Sequence, residues 1–578
     1  MTRLILVLAL AGVARSQSET SIARATGYLN EGKLALAEAE ARKALESGED
    51  RAGAANLLGI ISERQGNSAE AEKKFREALI ASPNSAVYHH NLGNALMQQK
   101  NQEAAIAEFE KALQIDPTHL NSHFMLGRAY SEQNRFDLAV SHLEVVRKRA
   151  PSDLHALFYL CEAYFKVGQD EAGLEIAHDL SRFGAADARI QFALGVVLTR
   201  NGHCPEAAKA FAQVVSKEPA NPAAVYYLGI CSVEAGRPQE ARKYFEKALA
   251  IDPDHALSSF ELSNLLIRER QYEEAASRLH KLLPLPEYES RAHLGLGRCY
   301  LELGKLDLAS VHLEQALKLK PSSPELHYLL GMVQFQKRDN ALAAQHLLKA
   351  LAIDPNNIDA WALLGSACLL EKATSDAIRA FEKCIALDPR SSKYFLLLGS
   401  AYLEDDKRQP ALEQFERALK ISPQDPTANF YTGLALKKLE RDEEAIGFFR
   451  KAQELDPSSN KVKYELADSL IGRSETDEAA ELVRSILKTE PEHSKAYYAW
   501  GSIDVQQKRY SDAVEHLERA VRLDSQFLSA HYLLGQAYLK LGKPEKARLV
   551  LEKFQKLSEE ERASRESAKK KMLVQGER

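Results

Sequence analysis

Apolar and small residues recur at helical spacing through residues 222–235. Val225, Leu228, Gly229 and Ser232 fall at i, i+3, i+4 and i+7, one stripe of a helix. Gly236 then interrupts the stripe, and glycine takes the left-handed conformation that ends a helix at little cost. A second amphipathic run carries Ala241, Phe245 and Ala248 and stops before Pro253. The pattern predicts a helix pair, A then B. The next start is marked as well: Asn221-Pro222, Ser323-Pro324 and Asp425-Pro426 each put a capping side chain before a first-turn proline.

The thirty-four residues from Pro222 to His255 set a frame that fits nearly the whole chain, from Ser18 to Glu561, in sixteen units without an insertion. Place eight is Gly in twelve units, from Gly59 to Gly535, and small in the other four, at Ala25, Cys161, Ser263 and Ala467. Place twenty is Ala in every unit but one, where it is Gly173. Place fifteen is Gly at 32, 66, 168, 202, 236, 304 and 542. Small residues at places eight and twenty let helices A and B approach closely, and a larger side chain such as Ala275→Leu overpacks them at about 1–3 kcal/mol. No single unit buries its apolar faces alone, so neighbours must stack.

The Leu-Gly, Ala, Phe and Pro positions of this frame (Leu228, Gly229, Ala241, Phe245 and Pro253 in the unit above) resemble the tetratricopeptide repeat (TPR) family. The resemblance implies an all-α fold, an α-α superhelical solenoid in which helix A of every unit lines the inner wall. It also implies a protein-binding role. Two ligand codes of the family do not carry over. No unit has Lys at place five, as the carboxylate clamp for chaperone C-termini requires, and only Asn91 occupies place six, where O-linked sugar transferases carry an Asn ladder.

Three stretches depart from the frame. Residues 1–16, MTRLILVLALAGVARS, combine Arg3, an apolar run from Leu4 to Val13 and small residues, the pattern of a secretory signal peptide cleaved near Ser16-Gln17. The run is shorter than the roughly 20 residues that span a bilayer. A periplasmic or secreted location is therefore expected, with an uncleaved membrane anchor as the alternative. Leu283-Pro284-Leu285-Pro286 must shorten a helix B. Residues 283–289 are thus the candidate for a change of curvature, the plainer reading being a shortened helix alone. Residues 562–578 are charged helix formers, read as an extension of the last helix or a tail.

Composition narrows the function classes. Net charge is −5 and charged residues make up 27%, so nothing favours nucleic acid or an anionic membrane. No P-loop, HExxH or GxSxG occurs, and no stretch outside the repeats reaches the roughly 50 residues of a catalytic domain. The sequence therefore predicts no enzyme activity and no cofactor. The six cysteines form no CxxC, and four lie at small-residue places of helix A, as buried free thiols do. Cys204 differs. It precedes Pro205 at a helix start, where a thiolate is favoured, and it is the candidate for a disulfide with Cys231. Histidines at place 23 (His142, His312, His346, His516) read as surface residues, with no third ligand for a metal.

The inner wall carries the functional expectation. Place five reads Phe124, Phe158, Phe192, Tyr226 and Phe260 in consecutive units, Tyr328 further on, and Phe430, Tyr464, Tyr498 and Tyr532 in the last four. Such rings serve either helix packing or a ladder of aromatic contacts. Arg128 and Arg298 stand at place nine, and Arg189, Arg291, Lys393, Lys461 and Lys495 at place two. Aromatic and basic groups on one wall suit an extended peptide with apolar and acidic side chains. The expected function is an exported protein–protein interaction scaffold with Phe124, Arg128, Phe158, Phe192, Tyr226, Phe260, Arg298 and Tyr328 in its groove. Two alternatives stand beside it: an accessory or assembly subunit of an envelope polysaccharide-export or secretion complex, and a self-associating architectural protein.

Overall fold

A computed structural model describes residues 20–575. Among the described residues there are thirty-two α-helices and no strand, and the helices fall in sixteen A–B pairs. Residues 1–16, read from the sequence as a signal peptide, lie outside the described residues. The seventh repeat shows how the sequence makes a pair. Helix A runs Pro222–Glu234, capped by Asn221, whose side chain accepts from the Ala224 N–H at 3.0 Å. It ends in a Schellman turn: Gly236 has φ +69°, its N–H reaches Val233 O at 3.0 Å, and the Arg237 N–H reaches Ser232 O at 2.9 Å. Helix B, Pro238–Ile251, then returns.

Place fifteen adopts this left-handed turn whether or not it is glycine. Lys100, Asn134, Arg270, Arg338, Lys372, Asp406, Glu440, Ser474 and Lys508 hold φ between +53° and +65° there.

Place eight is glycine for a reason the frame alone does not display. In each of the twelve cases a Cβ would run into the side chain at place 24: at Gly433 it would lie 2.6 Å from the Phe449 ring, and at Gly331 2.7 Å from Leu347. In three of the four repeats where place eight carries a Cβ, place 24 is smaller: Ala25 goes with Ala41, Cys161 with Ala177, Ala467 with Val483; in the fourth, Ser263 keeps Leu279, which lies against Gly295 of the next helix A. Gly173 follows the same logic at place twenty, since a Cβ there would sit 2.7 Å from the Phe165 ring. Ala241, Ala275 and the other place-twenty alanines are fully buried.

The chain forms two compact units, one ending at Glu269 and the other beginning at Arg270. In the first, one continuous apolar core runs from Ala71 to Cys231 across successive repeats. In the second, a core of the same kind runs from Ala411 to Ile503. Within each unit consecutive A helices touch one another, while each B helix packs mainly between its own A helix and the next. The A helices therefore share one face of each stack.

Two irregular places have local causes. Helix B of the eighth repeat, Tyr272–Leu282, stops before Pro284, and the next helix A starts early at Pro286 and runs to Glu302. The last helix, Pro544–Gln575, continues through residues 562–575. No helix among the described residues is long and apolar enough to cross a membrane.

Candidate functional site: the A-helix face

Five A helices of the first unit, Leu120–Glu132, Leu154–Lys166, Ala188–Arg200, Pro222–Glu234 and Ala256–Arg268, present the place-five rings in succession. Phe124, Phe158, Phe192 and Phe260 are half-buried, and Tyr226 is buried. The rings serve packing and surface together. Phe124 meets Tyr159 of the next repeat edge-on at 6.2 Å, and Phe158 meets the same Tyr159 at 6.0 Å. Phe192 packs on Phe211 at 5.7 Å and on Tyr227 of the next repeat at 5.8 Å. Tyr226 is enclosed by Tyr227, Phe245 and His255. Tyr159 and Tyr227 stand at place six, and sequence reasoning gave them no part. The signal was a spacing of thirty-five residues, one beyond the repeat, joining each to the ring before it.

Arg128 lies beside this ladder, its Nε donating to Glu132 Oε1 at 2.9 Å, which holds the guanidinium pKa up. Glu132 also accepts from Gln102 Nε2 at 2.9 Å. These groups border a cavity of about 480 Å³ that also meets Glu63, Asn94, Met97 and Met125. The Asn94 amide nitrogen contacts His90 Nε2 at 3.1 Å, and its Oδ1 is buried without a hydrogen-bond partner. Burial raises the Glu63 carboxyl and lowers the His90 imidazole to about 4, with His119 adding to the latter. Methionines adapt to irregular apolar shapes. The cavity thus offers an adaptable apolar wall, a cation and an unsatisfied acceptor.

In the second unit Arg298 is exposed and paired with Glu325, and Tyr328 is half-buried. The structure brings the predicted cations and rings together further along. Lys461 sits 4.7 Å over the Phe430 ring and 5.3 Å from Tyr431, and Lys495 sits 5.6 Å over Tyr464. These two place-two lysines cover the place-five ring of the repeat before them, whereas Lys393 sits 5.6 Å over Tyr394 of its own repeat. Beside them Lys437 Nζ bonds both Glu465 and Asp468 at 2.7 Å. Arg189 does not join such a pair; it is taken by Asp187 at 3.0 Å.

The cysteines correct one expectation and refine another. All six are free and buried, so the Cys204–Cys231 bridge is not formed. Cys204 Sγ donates to Glu234 Oε2 at 3.1 Å and also lies within hydrogen-bond reach of the Cys231 thiol. Burial first, and then Glu234, push the Cys204 thiol far up, so the helix start does not favour a thiolate there. Three place-23 histidines are not plain surface residues either. His142, His312 and His346 face His123, His293 and His327 across the A–B seam, with Nδ1–Nδ1 distances of 3.0, 2.9 and 3.3 Å. No cluster of three metal-ligating side chains occurs among the described residues.

Tetratricopeptide repeat family models match along the chain: at residues 22–86, 181–256 and 396–460, at 96–157 and 232–286, and at 324–357, 358–391 and 528–561. A further TPR repeat model matches residues 297–338 and 501–542. Among solved structures, YrrB, described as a TPR protein with an unusual peptide-binding site, is 23% identical over 32% of this chain and 95% of its own, with a TM-score of 0.29. MamA from Desulfovibrio magneticus is 25% identical over 29% of this chain and 96% of its own, with a TM-score of 0.28. The APC/C hetero-tetramer Cut9–Hcn1 is 14% identical over 89% of this chain and 95% of its own, with a TM-score of 0.36. No curated protein matches the sequence.

Proposed function

From a chain that belongs to the tetratricopeptide repeat family, whose members are protein-interaction scaffolds, we propose an exported, non-enzymatic scaffold that holds extended segments of partner proteins along its A-helix face. The observation that carries the proposal is the run of half-buried Phe124, Phe158 and Phe192 on three successive A helices, with Arg128 and its cavity at one end. Rings buried on one side and open on the other can hold apolar side chains without reorganising, which keeps the entropic cost of binding low. Arg128, held by Glu132 alone, can rotate to a carboxylate of the partner in bidentate fashion. Export rests on residues 1–16, and intact mass of the purified protein reads cleavage after Ser16 directly.

The test is a random peptide library displayed on phage and panned against the mature protein. The expected consensus alternates apolar and acidic residues. Arg128→Glu and Phe158→Ala should each weaken a selected peptide about tenfold or more, close to 1.4 kcal/mol, with unchanged helical circular dichroism. A library that yields no enriched sequence, or a peptide indifferent to both substitutions, rules the A-helix face out.

A further inference from the structure

The second unit carries a cleft between helix B Asn340–Ile353 and the next helix B, Thr374–Leu387, with helix A Ile358–Leu370 as its floor. Its volume is about 700 Å³, in the range of ligand-sized pockets.

Three departures from the repeat open it together. Place 25 carries Arg, Glu or His in fourteen of the sixteen repeats; here it is Leu348, 54% exposed. Place 23 is Ala380, where His142, His312 and His346 fill the seam in other repeats, so the side chain that would close the cleft is missing. Place 4 is Trp361, whose indole N–H donates to Pro355 O at 2.9 Å and is thereby satisfied without an occupant.

The cleft is a channel with unlike ends. Asn340, Glu371 and Asp376 stand at one end, Leu348 and Trp361 at the other. Trp361 and Glu371 are ten residues apart on the floor helix and its end, about 15 Å at the helical rise. Between them Ala344, Leu364, Ala367, Cys368 and Ala380 make the lining apolar. At the polar end Asn340 is 8% exposed; its Nδ2 donates to Glu371 Oε1 at 3.3 Å, and its Oδ1 is buried with no partner. Glu371 has no ion pair among the described residues. An acceptor that lacks a donor, beside a carboxylate that lacks a cation, suits a primary ammonium. Over the whole lining two carboxylates, Glu371 and Asp376, balance two cations, Arg379 and Lys383, with Asp376 paired to Arg379. A headgroup of no net charge is therefore matched, and an anionic one is not.

We propose that this cleft binds the acyl chain of an ethanolamine-headed lipid. The ammonium sits between Asn340 Oδ1 and Glu371, and the chain lies along the floor toward Leu348 and Trp361. A linear aliphatic chain matches because it reaches from one end to the other, and each methylene taken from water adds affinity. A choline head, which has no N–H, leaves Asn340 Oδ1 unpaired. The A-helix face of the first unit has no part in this site, so the two stand or fall separately.

The test is quenching of Trp361 fluorescence by a monoacyl phosphatidylethanolamine with a brominated dodecanoyl chain, kept below its micelle concentration. It uses the full mature protein carrying Trp500→Phe, which removes the other tryptophan. Saturable quenching is expected, and shortening the chain should weaken binding about fourfold per methylene. Leu348→Glu, which restores the residue type of the other repeats at an exposed position, should weaken it about tenfold. Glu371→Gln, also at an exposed position, should weaken it several-fold, and Arg128→Glu should leave it unchanged. The proposal is overturned if quenching does not saturate, if chain length has no effect, or if Leu348→Glu leaves the affinity intact. It is equally overturned if the choline-headed analogue or free dodecanoate binds as tightly.

Discussion

The place-eight glycines act as one half of a fixed volume shared with place 24. Gly433 leaves the space that the Phe449 ring occupies, and three of the four repeats that add a Cβ at place eight give up atoms at place 24, as Ala467 with Val483 does. Gly433→Ala should therefore overpack the hairpin and cost about 1–3 kcal/mol. Combined with Phe449→Val it should cost less than the sum of the two single changes, by about 1 kcal/mol or more, in a double-mutant cycle read from urea unfolding. Strict additivity would show that the two positions do not share the space.

At the scale of the element, the turn between helices A and B imposes a left-handed residue on every repeat. For an L-residue this costs about 1–2 kcal/mol, and asparagine bears it most easily. Glycine gives back part of that gain through the entropy of the unfolded chain. Lys372→Gly and Arg338→Gly should each stabilise the protein by up to about 1 kcal/mol, while Asn134→Gly should be close to neutral. Denaturation midpoints distinguish the two classes. The histidine seams belong to the same scale. Burial, and then a facing histidine, hold His142 and His312 near 4 against the ordinary 6.5. His142 is faced by His123 and by Glu110, which opposes the shift; His312 is faced by His293 and His280. A depressed histidine pKa favours the neutral folded form. The stability it contributes is complete above pH 6.5 and is lost as pH falls from there toward 4. A His142→Gln, His312→Gln variant should show a shallower fall of its unfolding midpoint across that window than the natural chain.

Over the molecule, each repeat packs chiefly on its neighbours, which makes stability a sum of local terms. Phe211 is fully buried in the continuous core of the first unit. Phe211→Ala should cost about 3–5 kcal/mol locally. Hydrogen exchange should rise in residues 188–251 and stay at its original rate in residues 392–523. A uniform rise along the chain would show instead that the whole array unfolds as one.

The sequence by itself determined the helix pairs, their number and most of their boundaries, the early start at Pro286 excepted, because a period of thirty-four repeats the same local signals: a cap, an apolar stripe, a turn, a stop. Asn221, Gly236 and Pro253 act on their immediate backbone, so their effect is legible without knowing what lies opposite. It also marked the place-five rings and place-two cations as neighbours in kind. Only the tertiary structure decided which of them meet. Lys461 covers Phe430, whereas Arg189 is taken by Asp187 and Arg298 by Glu325. The Cys204 thiol faces Glu234 rather than forming a bridge, and histidines assigned to the surface close the A–B seam. Such outcomes depend on long side chains choosing among several partners brought close by stacking. That choice is made by burial and geometry between repeats, which no single thirty-four-residue window contains.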